Sequence, residues 1–146
     1  MSWGLWYGSG PWGACTKGGP DLLPPTISLE SPAPGSSYVP FDVPISLRLN
    51  DDLSGVDLGS VRITVQQGSM PVQVMFQNGL ISPAFRGPGC LVQGNLTNGF
   101  DFILVPVSPW ISGATVTVTV TASDAQCNSA TFSWSFQMTS CYGCVT

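Results

Sequence analysis

The stretch Ala114-Thr115-Val116-Thr117-Val118-Thr119-Val120-Thr121-Ala122-Ser123 decides the fold. In an extended chain, successive side chains point to opposite sides. Val116, Val118, Val120 and Ala122 therefore share one face, and Thr115, Thr117, Thr119 and Thr121 share the other. Both sets have good β propensity, whereas a helix would scatter the valines around its circumference. The spacing predicts a strand over 114–123, buried on one side and wet on the other.

Working outward, Asp124-Ala125-Gln126-Cys127-Asn128 reads as a turn. It leads into a partner strand over 131–138, with Phe132, Trp134, Phe136 and Met138 inward and Thr131, Ser133, Ser135 and Gln137 outward. Upstream, 100–107 is a further strand, and Pro106 removes a donor near its end, which places that end at an edge or bulge. The same two-residue alternation appears over 26–30, with Ile27 and Leu29 on one face, and over 43–50, with Ile45, Leu47 and Leu49 inward and Ser46 and Arg48 outward. It recurs over 61–66 (Val61, Ile63, Val65 inward) and 72–77 (Val72, Val74, Phe76 inward), two runs joined across Gly68-Ser69 as a hairpin. About seven strands without helices bury their apolar faces by stacking two sheets, so the fold class is an all-β sandwich with an extended N-terminal arm.

Composition agrees. Charged residues make up 8% of the 146 residues, and 17 Gly with 13 Pro suppress helices. A hydrophobic share of 43% is too high for a disordered chain, yet no apolar run reaches the roughly 18 residues of a membrane span. A soluble protein without membrane contact is expected. Histidine is absent, which removes the commonest general base and metal ligand. With four Lys+Arg against eight Asp+Glu there is no basic cluster for a phosphate backbone, so nucleic acid is not an expected partner. No phosphate-binding glycine loop or paired-carboxylate arrangement occurs, and the chain does not read as an enzyme. Asn95-Leu96-Thr97 matches a glycosylation acceptor pattern by chance.

The chain divides into an arm and linker over 1–24, a sandwich over 25–139 and a short tail over 140–146. In the arm, Trp3, Trp6, Tyr7 and Trp12 stand among glycines. Large aromatic faces with polar handles are the residue types of interface hot spots, so these four are candidate partner-binding residues. Docking on a neighbouring subunit, folding back as a cap, and lack of fixed structure all remain open. The N-terminus lacks the basic stretch and apolar segment of a secretory signal. The interval 78–98, rich in Gly, Pro and Asn, is a second candidate surface, with Ile81, Phe85 and Leu91 as anchors. Pro109-Trp110-Ile111-Ser112-Gly113 reads as a cap on the sandwich, with stacking of Trp110 on a sugar as the alternative.

Two chemistries concern charged and sulfur groups. Asp51, Asp52, Asp57 and Asp124 supply the carboxylates a Ca²⁺ site needs, or else stabilise turns by bonding nearby backbone. Five cysteines leave at least one unpaired within the chain. Cys141-Tyr142-Gly143-Cys144 has zinc-knuckle spacing, and without histidine the remaining zinc ligands would be Cys15, Cys90 or Cys127 or come from another subunit, with Cys15, Cys141 and Cys144 as the candidate set. Such a site would hold the arm near the C-terminal tail. A disulfide and free thiols are the other readings.

Pro25-Thr26-Ile27, Asp52-Leu53-Ser54-Gly55-Val56-Asp57 and the late run from Val118 through Asp124 to Asn128 resemble bacterial and phage immunoglobulin-like (cadherin-like) modules, over roughly residues 25 to 138. Cys127 stands where that family usually has Gly. The resemblance implies an immunoglobulin-like sandwich serving as spacer, adhesin or assembly module. The opening Ser2-Trp3-Gly4-Leu5-Trp6-Tyr7-Gly8 is similar to the starts of tailed-phage tail and baseplate proteins. Together these imply a virion structural protein assembled in the host cytoplasm, docking on other virion proteins and on copies of itself. A module binding a host glycan or receptor through 78–98 and Trp110, and a capsid decoration or head-fibre protein, are the alternatives.

Overall fold

A computed structural model describes residues 23–51, 55–95 and 98–140. Nine strands form two antiparallel sheets: β1 (Thr26–Ser31), β2 (Ile45–Asn50), β3 (Val56–Gln67), β4 (Gln73–Gln77), β5 (Leu80–Ile81), β6 (Leu91–Asn95), β7 (Gly99–Leu104), β8 (Thr115–Asp124) and β9 (Ser129–Gln137). One sheet has the order β1-β2-β7-β6 and the other β5-β4-β3-β8-β9. The chain enters the first sheet, crosses to the second for β3 to β5, returns for β6 and β7, and ends in the second.

The alternation that defines β8 holds along its length. Val116, Val118, Val120 and Ala122 are fully buried, and Thr115 and Thr121 are exposed. Nine consecutive residue pairs, from Thr115–Gln137 to Ser123–Ser129, tie β8 to β9. The outward hydroxyls pair as well, as in Thr117–Ser135 at 2.9 Å. From the facing sheet, Ile45, Leu47, Leu49, Phe102 and Leu104 fill the interior. Phe76 of β4 meets Phe102 of β7 edge to face, with centroids 5.2 Å apart, so this contact joins the two sheets.

Four sequence expectations are corrected. Leu29 is 73% exposed rather than inward, because the β1–β2 register shifts between Ser28 and Ser31 and Leu29 takes φ 55. Val72 lies outside β4 and is exposed, while Met75 and Phe76 are both buried at a register shift opposite Ile63 and Thr64. Nine strands replace about seven. The extra two lie in the interval 78–98: β5 pairs with β4, and β6 pairs with β7 over five residues. The third strand begins at Val56, five residues before the expected start, and is interrupted by a bulge between Asp57 and Arg62.

The segment between β1 and β2 crosses from one sheet to the other. Val39 forms a parallel bridge with Met138, Gly35 N–H donates to Ser135 O at 2.7 Å, and the buried Trp134 Nε1–H donates to Pro32 O at 2.9 Å. The far half of the β9 edge is thereby covered by the chain's own backbone.

Candidate functional site

Strand directions gather the connections at two ends of the sandwich. At the upper end lie the start of β1, the 51–55 loop, the β6–β7 turn and the β8–β9 turn. Short polar residues dominate it, and they bond their own loops. Asp124 is fully buried: Oδ1 accepts the backbone N–H groups of Gln126 and Asn128 at 2.8 and 2.9 Å, and Oδ2 accepts Asn128 Nδ2–H at 2.8 Å. Asp51 Oδ2 accepts Gly55 N–H at 3.0 Å, and Ala125 N–H donates to Gly55 O at 3.1 Å, which ties the 51–55 loop to the β8–β9 turn. Asp57 Oδ1 accepts Gly59 N–H at 3.1 Å within the β3 bulge. Burial pushes the Asp57 carboxyl above its usual range, and the Gly59 bond offsets part of that. Ser60 Oγ accepts Ser123 N–H at 2.8 Å and locks the bulge to β8.

Arg48 holds the neighbouring turn. Its guanidinium pairs with Asp101 at 2.8 Å and donates to Asn50 Oδ1 at 3.1 Å and to Asn98 O. The backbone beside it is crowded: a β-carbon at Gly99, where φ is +87, would sit 2.3 Å from Leu49 O. Only glycine fits both the conformation and the space.

The lower end carries the β3–β4 turn, the 105–114 connection and Thr139, whose carbonyl accepts Gly113 N–H at 2.8 Å. Its fixed point is Trp110, 1% exposed, whose Nε1–H donates to Val43 O at 2.8 Å and whose ring meets Phe85 at 6.0 Å between centroids. Around that pin the surface is apolar. Phe41, Ile111, Met70, Val72 and Val107 are 37 to 62% exposed. Backbone and side-chain bonds place three of these on adjoining segments: Trp110 N–H to Phe41 O, Ile111 N–H to Gln67 Oε1, and Met70 N–H to Gln67 O. Sequence reading gave 109–113 as a cap but missed the exposed apolar residues around it. The signal available was the cluster of large apolar residues on either side of turn residues in Gly68-Ser69-Met70-Pro71-Val72 and Pro109-Trp110-Ile111.

The expected site residues divide three ways. Trp3, Trp6, Tyr7, Trp12, Cys15, Cys141 and Cys144 lie outside the described residues, as does Asp52. Phe85, expected to anchor a partner, is 3% exposed and packs in the core from the turn Pro83–Phe85, so its ring surface is covered by the protein itself. Trp110 is likewise in the core and does not offer a face for sugar stacking. Asp51, Asp57 and Asp124 each accept loop N–H groups, and among the described residues no three side chains of metal-binding type converge. Cys90 is free, whereas Cys127 is disulfide-bonded. No described helix is long and apolar enough to cross a membrane.

No family model matches the chain, and no curated protein matches it. Among solved structures it is similar to PcoC, a methionine rich copper resistance protein from Escherichia coli. The identity is 14% and the TM-score 0.44, over 78% of this chain and 97% of that one. At that level the similarity carries no inference about activity or ligands.

Proposed function

We propose that this protein is a non-enzymatic structural component of a tailed-phage virion, an immunoglobulin-like sandwich that works by docking onto other virion proteins. One observation carries the fold part of this reading. The two motifs behind the family resemblance, Ser54-Gly55-Val56-Asp57 and Ser123-Asp124 to Asn128, meet at the upper end through the Ala125–Gly55 hydrogen bond. Strand order supports it too. Sheets of four and five strands in the orders β1-β2-β7-β6 and β5-β4-β3-β8-β9 correspond to the arrangement of a variable-type immunoglobulin sandwich, whose partners engage loops at one end.

Docking is the mechanism best matched to the residues. The upper-end carboxylates are engaged in turns, and the chain lacks histidine, so the described surface offers hydrogen bonds and apolar area rather than a reacting group. The arm aromatics Trp3, Trp6, Tyr7 and Trp12 supply hot-spot residue types, each worth roughly 2 kcal/mol or more when fully desolvated at an interface.

The test compares the solution mass of the full chain with that of the triple variant Trp3→Ala, Trp6→Ala, Trp12→Ala. Association of the full chain, with a monomeric variant of unchanged unfolding midpoint, is the expected result. A monomeric full chain, or a variant that associates equally well, overturns arm-driven self-docking. The virion assignment is checked separately by mass spectrometry of purified particles from cells expressing the protein during phage growth, and absence from the particles ends it.

A further inference from the structure

Asn followed by Gly occurs at Asn78-Gly79 and at Asn98-Gly99, and the fold holds the two places in opposite ways. We infer that Asn78-Gly79 is a site of spontaneous covalent modification, where the Asn78 amide becomes an acid by way of a succinimide, and that the fold protects Asn98-Gly99 from the same reaction.

Asn78 and Gly79 form the two-residue loop between β4 and β5, across which Gln77 pairs with Leu80. Their φ values are 54 and 78, the two positive angles that a mirror-image type I hairpin turn needs. Residues 77–80 are exposed, and a β-carbon built on Gly79 would meet nothing within 4 Å. Approach to the Gly79 nitrogen is therefore open. Neither the Asn78 side chain nor Gly79 N–H has a hydrogen-bond partner among the described residues. Ring closure requires rotation of the backbone at Asn78, and little opposes it. Strand β5 has two residues, lies at the edge of its sheet and pairs with β4 alone. Its further ties are Ser82 N–H to Met75 O at 2.9 Å and Arg86 Nε–H to Ile81 O at 2.6 Å. Such an edge opens locally without disturbing the ladders of the inner strands.

Asn98-Gly99 has the same two residues in a fixed setting. Asn98 N–H donates to Asn95 Oδ1 at 2.7 Å, and Asn98 O accepts a bond from the Arg48 guanidinium, itself paired with Asp101. Gly99 opens β7, an inner strand between β2 and β6, and stands opposite Asn95 in the ladder. With the backbone held on both sides of the Asn98 α-carbon, its side-chain carbonyl is not free to swing over the Gly99 nitrogen.

The reaction uses the chain and water. The Gly79 nitrogen attacks the side-chain carbonyl carbon of Asn78 and forms the new C–N bond of a five-membered ring. The bond from that carbon to Nδ2 breaks, and ammonia leaves with the proton given up by the Gly79 nitrogen. Water then opens the ring at one of its two carbonyls. Attack at the side-chain carbonyl yields aspartate, and attack at the backbone carbonyl yields isoaspartate, whose chain runs through the β-carbon. No oxidant or reductant takes part, and the net change is amide plus water to acid plus ammonia.

The two products differ in what they do to the sheet. Aspartate before glycine still suits the turn. Isoaspartate inserts an extra backbone carbon, and a two-residue loop then no longer closes the Gln77–Leu80 register. Release of β5 leaves β4 as the edge strand beside the buried Met75 and Phe76, an unpaired template for another chain. The site is independent of the docking reading, since the chemistry needs no partner protein.

The experiment incubates the full-length protein at mildly alkaline pH, natively and in urea, and digests it with a protease specific for aromatic residues. Cleavage after Phe76, Phe85 and Phe100 puts Asn78 and Asn98 on separate peptides, in which mass spectrometry reads the conversion of amide to acid. In the native protein conversion at Asn78 should run many-fold ahead of conversion at Asn98, and in urea the two should convert at comparable rates. Equal or faster conversion at Asn98 in the native protein, no conversion at Asn78, or the same ratio in urea overturns the inference. Hydrogen exchange at Ser82 N–H tests the consequence. Protection should be lost in the isoaspartate form and kept in Asn78→Asp, and equal protection in both overturns the release of β5.

Discussion

The two ends of the sandwich are built by opposite means. The upper end is a set of polar turns in which three carboxylates accept backbone hydrogens: Asp51 from Gly55, Asp57 from Gly59, Asp124 from Gln126 and Asn128. The lower end is held by one buried aromatic, Trp110, with apolar residues exposed around it. Of the two readings open for the carboxylates, turn stabilisation and a Ca²⁺ site, the described ones follow the first, and Trp110, read as a cap with sugar stacking as the alternative, is enclosed in the core. Residue type was a weaker guide to role than the neighbours each residue found.

Substitutions at the two ends break this comparison unequally. Trp110→Ala should have the largest effect, about 3–5 kcal/mol in urea unfolding, since it empties a fully enclosed ring volume and leaves Val43 O without its indole donor. Asp124→Ala should cost less, about 2–3 kcal/mol, because it removes three hydrogen bonds to one carboxylate but little apolar volume. A larger loss at Asp124 than at Trp110 would mean that the polar end, not the apolar pin, dominates stability.

The smallest effect belongs to Asp57 and has a definite sign. Its folded pKa is raised by desolvation, so its share of stability is fully present below the usual carboxylate range and is lost as pH rises through the folded value. Asp57→Asn keeps an oxygen for Gly59 N–H and carries no charge to desolvate. The variant should therefore gain stability relative to the parent as pH rises from about 3 to about 7, read as a growing difference in unfolding midpoint. A constant difference across that range would show that burial of the charge has no energetic consequence.

Much of the sandwich was legible in the chain. The runs around Val116–Val118–Val120, Ile45–Leu47–Leu49 and Trp134–Phe136–Met138 keep a strict two-residue period, and in each the expected face is the buried one. Legibility failed where the ladder changes register. The irregularity between Ser28 and Ser31 turns Leu29 outward, and the one opposite Ile63 and Thr64 buries adjacent residues Met75 and Phe76. Strand β6, Leu-Val-Gln-Gly-Asn, has little alternation of its own and is a strand because β7 offers a ladder beside it. For the candidate site less was legible. The four arm aromatics lie outside the described residues, Phe85 went to the core, and the lower apolar end was not anticipated.

By itself, the sequence determined that this is a β-sandwich, that the turn at 124–128 follows its most regular strand, and that these 146 residues include no histidine. Those conclusions rest on periodicity and composition, which are local properties of a chain. Only the tertiary structure decided that Gly55 and Ala125 meet, that Trp110 reaches Val43, and that Cys127 stands at the opposite end from Thr139. These are contacts between residues far apart in sequence, set by which strands pair and at what register, and a two-residue alternation carries no information about either.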